Sequence, residues 1–107
     1  MQQFTAEYTN EAIEQYESLD LESQSKILEA IKIFEQIGTN YKNLNTLGGG
    51  LFEIKPKGVR AYFKYAKNKI IIVGFIALKK TQKAPKRYIE QAIRNIENYL
   101  SENKDLK

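Results

Sequence analysis

Two alternating runs followed by an almost unbroken apolar one, between Leu51 and Pro85, constrain this chain more than anything else in it. In LFEIK and VRAYFKY, polar and apolar residues alternate. Successive side chains of a strand point to opposite faces, so Phe52 and Ile54 share one face with Val59, Ala61, Phe63 and Tyr65. Glu53 and Lys55 share the other with Arg60, Tyr62 and Lys64. Pro56 suits the second position of a β-turn and Gly58 the fourth, so the two runs form a hairpin. Its register is open: Lys55 opposes either Gly58, which sets Glu53 across from Arg60, or Arg60 itself. After a turn at Lys67-Asn68-Lys69 comes the apolar run from Ile70 to Leu78, whose β-branched start, Ile70-Ile71-Ile72-Val73, suits a strand buried on both sides in the sheet interior. The expected object is a sheet with one dry face and one basic, aromatic face.

The flanking segments read as helices. Phe4, Ala6 and Tyr8 alternate weakly in a short first strand. Thr9 or Asn10 can cap a helix running to about Leu19, and Asp20 a second from Leu21 to Ile37 with a stripe of Ile27, Ile31 and Phe34. Gly38 stops it. Residues 39–50 are polar and end in Gly48-Gly49-Gly50; the spacing of a phosphate-cradling loop is absent, so a loop entering a strand is expected. Pro85 opens a third helix, in which Ile89, Ala92, Ile93, Ile96 and Leu100 fall on a narrow arc and Tyr88 lies at its edge. The residues from Ser101 to Lys107 read as frayed. The elements follow in the order β-α-α-β-β-β-α in one domain, 1–107, and the inner face of the helical hairpin needs the sheet to bury it.

Composition narrows the chemistry. There is no Cys and no His, which removes thiolate and imidazole mechanisms, and the carboxylates do not cluster as a metal site would need, so no metal and no cofactor is expected. No apolar run approaches the roughly 20 residues that span a bilayer, and no secretory leader is evident, so no membrane contact and a cytoplasmic setting are expected. Net charge is only +4, but it is segregated. Residues 1–50 carry three basic groups against eight acidic, and residues 51–94 twelve against two, Glu53 and Glu90. Cations interleaved with aromatic rings favour a nucleic acid or an acidic protein as partner.

An ordered set of motifs then carries a resemblance. Leu51-Phe52-Glu53-Ile54-Lys55 is followed by a strand with Arg60 and Tyr65, an apolar strand through Phe75, the run Lys-Lys-Thr-Gln-Lys-Ala-Pro at 79–85, and a helix to Leu100. This order resembles the RelE/ParE superfamily of type II toxin–antitoxin toxins, and the 79–85 run resembles its HigB-like, phage-associated branch. The resemblance implies an α+β fold, an antiparallel sheet with the helical hairpin on one face and a C-terminal helix. It implies too a ribosome-dependent mRNA endonuclease held inactive by a cognate antitoxin, a small helix-turn-helix protein being the expected kind. It also implies site residues at Lys55 and Lys57 around the hairpin turn, Arg60 on the next strand, Lys80 and Tyr88. Some members use a His as base, and this chain has none. Arg60 offers a fork of donors to phosphate oxygens; Lys80, Lys55 and Lys57 are candidate phosphate contacts or proton carriers, and Tyr88 a stacking or proton-donating group. Tyr62 and Lys64, with Lys79, Lys83, Lys86 and Arg87, are the expected RNA-binding set. The rival readings are a gyrase inhibitor of the ParE kind with the same fold, and a non-enzymatic RNA- or protein-binding module.

Overall fold

The computed structural model describes residues 2–80 and 83–107. The chain runs β1 (Thr5–Tyr8), α1 (Asn10–Glu17), α2 (Leu21–Ile37), β2 (Leu44–Gly48), β3 (Leu51–Ile54), β4 (Val59–Tyr65), β5 (Ile70–Leu78) and α3 (Lys86–Glu102), with short 3₁₀ turns at Gly38–Asn40 and Lys104–Leu106. The five strands form one sheet in the order β1-β5-β4-β3-β2. The α+β class and the placement of the helices follow the expectation, and β5 is interior to the sheet. The sheet differs in two ways. It is mixed, because β1 joins β5 in parallel, Thr5 pairing with Ile70 and Tyr8 with Val73. It also has one strand more than expected, since Leu44–Gly48 pairs antiparallel with β3 through a bulge between Thr46 and Gly48.

Local chemistry explains the elements. The Thr9 side chain accepts from the Ala12 N–H and that of Asp20 from the Ser23 N–H, so both helices of the hairpin start on side-chain caps. Gly38 ends α2 at φ 60°. In the β4–β5 turn Asn68 and Lys69 both have positive φ, the backbone a two-residue hairpin turn needs to match the twist of its strands. The outer edge of β1 is covered rather than left open: Glu35 on α2 accepts from the Ala6 N–H at 2.7 Å.

The sheet has a dry layer on each side. On one, Ile54, Val59, Ala61, Phe63, Ile71 and Val73 pack against Ala12, Ile27, Ile31 and Phe34 of the hairpin, as the alternation indicates. On the other, Leu51, Tyr62, Ile72 and Phe75 pack against Ala92 and Ile96 of α3. The expectation of an open basic, aromatic face is therefore corrected. The apolar arc of α3 needs a surface, and Tyr62 with Phe75 supplies it. The C-terminal segment is likewise tied down instead of frayed: Leu106 is 5% exposed and its carbonyl accepts from the Lys67 N–H.

Candidate functional site

The β3–β4 register settles what the sequence leaves open. Glu53 pairs with Tyr62 and Ile54 with Ala61, so of the two alternatives the hairpin takes the one in which Arg60 faces Lys55 rather than Glu53. On β4, Arg60 has Ala77 of β5 as its neighbour on the other side. It approaches Glu53 diagonally, along the strand. The ion pair forms nonetheless, with Nη1 3.3 Å from Glu53 Oε2. Arg60 is 2% exposed, beneath the start of α3, not on an open face as expected. A guanidinium this deep requires a counter-charge and hydrogen bonds, because desolvation otherwise outweighs what it gains.

Arg60 forms the floor of a small recess of about 170 Å³, whose other walls are Leu78, Lys80, Pro85, Arg87 and Tyr88. Two strands and the first turn of α3 bring these groups together. Lys80 and Arg87 are exposed at the mouth. The Tyr88 ring packs on Phe75 with centroids 4.8 Å apart, and the Arg87 guanidinium lies 5.2 Å from the Tyr88 centroid, within cation–π range. Phe75 in turn stacks on Tyr62 at 5.8 Å. An aromatic ladder thus runs from the core to the lip of the recess and seats Arg87 there.

The other expected site residues scatter. Lys57 is exposed in the hairpin turn and lines a different groove, with Glu22, Lys26, Glu29, Ile33 and Tyr41 on the hairpin side. Lys55 is half-buried before the turn, its N–H donating to the Asn43 carbonyl. Lys64 is half-buried near Gly50, at the far end of β4. Lys79 is half-buried, with its N–H bonded to the Gly58 carbonyl, and Lys83 and Lys86 are exposed. Thr81 and Gln82 of the basic run lie outside the described residues. Tyr62 is corrected as a base-stacking group: it is fully buried, and its ring is covered by Phe75. Burial pushes its phenol above the ordinary value, and the neighbouring Arg60 guanidinium acts in the opposite direction. Asn45, which donates to Glu53 Oε1 at 3.4 Å, is a member of the site that the sequence reading missed. Its signal is faint, a polar residue in a strand that itself was read as loop.

Among the described residues no three acidic side chains gather as a metal site, and no helix is long and apolar enough to cross a membrane. The recess is a cationic pocket with apolar shoulders, suited to an anion joined to a flat or apolar group.

The architecture is that of the RelE toxins. The isolated RelE toxin of E. coli has the same fold, with a TM-score of 0.60 over 85% of this chain and 97% of that one at 13% identity. A chain of the RelBE2 toxin–antitoxin complex from Mycobacterium tuberculosis matches with a TM-score of 0.53 over 76% and 97% at 16% identity. The chain itself belongs to the family described as Phage derived protein Gp49-like (DUF891), which residues 14–97 match. No curated protein matches it in sequence.

Proposed function

We propose that this protein is the toxin of a type II toxin–antitoxin system, of the HigB-like branch, and a ribosome-dependent mRNA endonuclease. The observation that carries the reading is the recess, where Arg60, Lys80, Arg87 and Tyr88 meet. The membership in a phage-derived family and the fold shared with RelE support it. In the proposed reaction the 2′-oxygen of a nucleotide attacks the adjacent phosphorus in line. The P–O5′ bond breaks, leaving a 2′,3′-cyclic phosphate and a 5′-hydroxyl. The 2′ proton passes to a base and a proton is delivered to the departing 5′-oxygen, for which Lys80 is the group at the mouth. Arg60 and Arg87 take up charge as it builds on the phosphoryl oxygens, and Tyr88 presents its edge to a base. Lys55 and Lys57 approach the ribosomal substrate from the hairpin turn, outside the recess. The partners of this reading are mRNA, the ribosome and a cognate antitoxin of the small helix-turn-helix kind.

The test is induction of the chain followed by mapping of new RNA 5′ ends. Wild type is expected to create ends on translated transcripts. Lys80→Ala, at an exposed position, is expected to lose them by about 10²-fold or more while staying folded. Arg60→Lys is the companion variant, because truncation to Ala would strand the buried Glu53 charge at a cost of about 3–5 kcal/mol and confuse folding with chemistry. No new ends from wild type would remove the nuclease reading. A second reading has its own support: the pairing and burial of Arg60 suit a toxin of the same fold that acts without cleavage, such as a gyrase inhibitor. For that case transcripts stay intact while DNA supercoiling changes.

A further inference from the structure

Behind the recess lies a buried acid for which the chemistry above has no use. Glu53 is 2% exposed, and each of its oxygens is engaged: Oε2 by Arg60 at 3.3 Å, Oε1 by Asn45 Nδ2 at 3.4 Å. Asn45 stands directly opposite Glu53 across β2–β3, and Tyr62 directly opposite it across β3–β4. Three adjacent strands therefore hold one carboxylate in place, and that carboxylate holds the guanidinium. We propose that Glu53, fixed by Asn45, is a positioning residue for Arg60: it sets which edge of the guanidinium faces the recess and offsets its charge until an RNA phosphate enters. The proposal rests on the nuclease reading.

The geometry of the groups carries the argument. Arg presents five N–H donors in a planar fork, and a carboxylate accepts at two oxygens. Held through Nη1 by Glu53 on the floor of the recess, the guanidinium keeps a fixed direction, with little further ordering to be done when charge develops on a substrate. Removing the negative charge has two opposite consequences. The recess gains a net positive charge, which strengthens the general attraction for RNA. The guanidinium loses its fixed orientation, which slows the reaction. A side chain needed only to keep the fold together would not separate binding from rate in this way.

The experiment compares wild type with Glu53→Gln and Asn45→Ala, using a 2′-O-methyl single-stranded RNA that cannot be cut for binding and translated mRNA for cleavage. For Glu53→Gln, affinity at low salt is expected to be equal or tighter. The slope of log affinity against log salt should steepen by about 0.7, the contribution of one more charge on a single strand. Its cleavage rate should fall about 10²-fold, as for a misplaced group of this kind. Asn45→Ala leaves the charges alone and should keep the wild-type slope while slowing cleavage; it also carries the test if Glu53→Gln does not fold. Equal cleavage by wild type and both variants overturns the proposal. So does a fall in binding and cleavage together in step with melting temperature, the mark of a purely structural ion pair. Wild-type protein that cuts no RNA instead overturns the nuclease reading, and the salt slope of Glu53→Gln then still decides whether the carboxylate masks the charge of Arg60.

Discussion

Two tyrosines far from the recess give the clearest consequences for single residues. Burial, with the nearby Glu35 carboxylate and Tyr16, pushes the Tyr8 phenol up to about 12. Tyr99 reaches about 12 chiefly because its hydroxyl donates to Glu7 Oε1 at 2.5 Å, a bond that ties α3 to β1. A phenol raised above its ordinary value of 10.0 is held neutral by the fold. Its contribution to stability is therefore complete below about pH 10 and disappears as the pH climbs from there to about 12. Solvent screens the more exposed Tyr99, so Tyr8 should dominate. Denaturant unfolding at pH 9 and at pH 11.5 should show the wild type losing stability across that window and Tyr8→Phe losing clearly less. Identical losses would mean that the Tyr8 environment is misassigned. Single residues were also where the sequence was most readable. Thr9 and Asp20 cap the helices they precede and Gly38 ends α2, because each of these acts through its own local hydrogen bonds or backbone.

Among the elements, α3 decides most. It lies so close to β5 that Gly74 has no space for a side chain: a Cβ there would stand 2.5 Å from Ile96 Cγ1 and 2.9 Å from the Ala92 carbonyl oxygen. Asn95, buried in α3, donates to the Gly74 carbonyl at 2.9 Å and is held from behind by Gln91. Gly74→Ala should therefore push the helix outward, at a cost of about 1–3 kcal/mol, read as a lower midpoint in urea with an unchanged slope. No change would show that the helix yields freely. The apolar arc of α3 was plain in the sequence, but the surface it covers was not. Strand alternation sorts residues into two faces without telling which polar-looking face a later helix will cover, and Tyr62 between Ala61 and Phe63 carries no mark of its fate. The strand β2 was missed for a related reason. LNTLG is an edge strand held by backbone pairing to β3, and its sequence lacks the β-branched apolar pattern that announces an interior one.

For the molecule as a whole, charge segregation survives folding as geography. The acidic helical hairpin packs on one side of the sheet, and the start of α3 brings Lys86 and Arg87 to the opposite side, near Lys79 and Lys80. Replacing Lys79, Lys83 and Lys86 by Gln should weaken single-stranded RNA binding and flatten its salt slope by about 2, whereas Gln at Glu11, Glu14 and Glu22 on the hairpin should leave the slope as it is. A flattening of the same size from the hairpin set would show that the basic side is not the one that meets RNA. The sequence pointed to the cations as a group. Which of them converge depends on the path of the chain between elements, so Lys80 meets Arg60 at the recess while Lys57, two residues past Lys55, turns toward α2. The parallel pairing of β1 with β5 has an outcome for biosynthesis as well. Thr5 must wait for Ile70, made about 65 residues later, before its strand has a neighbour. The helical hairpin beside it lacks a surface to settle on for as long. Local turns and caps can form early, but closure of so distant a pairing is slow, and the nascent polypeptide stays unable to assemble its cationic cleft until most of it has been translated. On the proposed toxin reading, a cell making such a chain is thereby spared its effects during most of each round of synthesis.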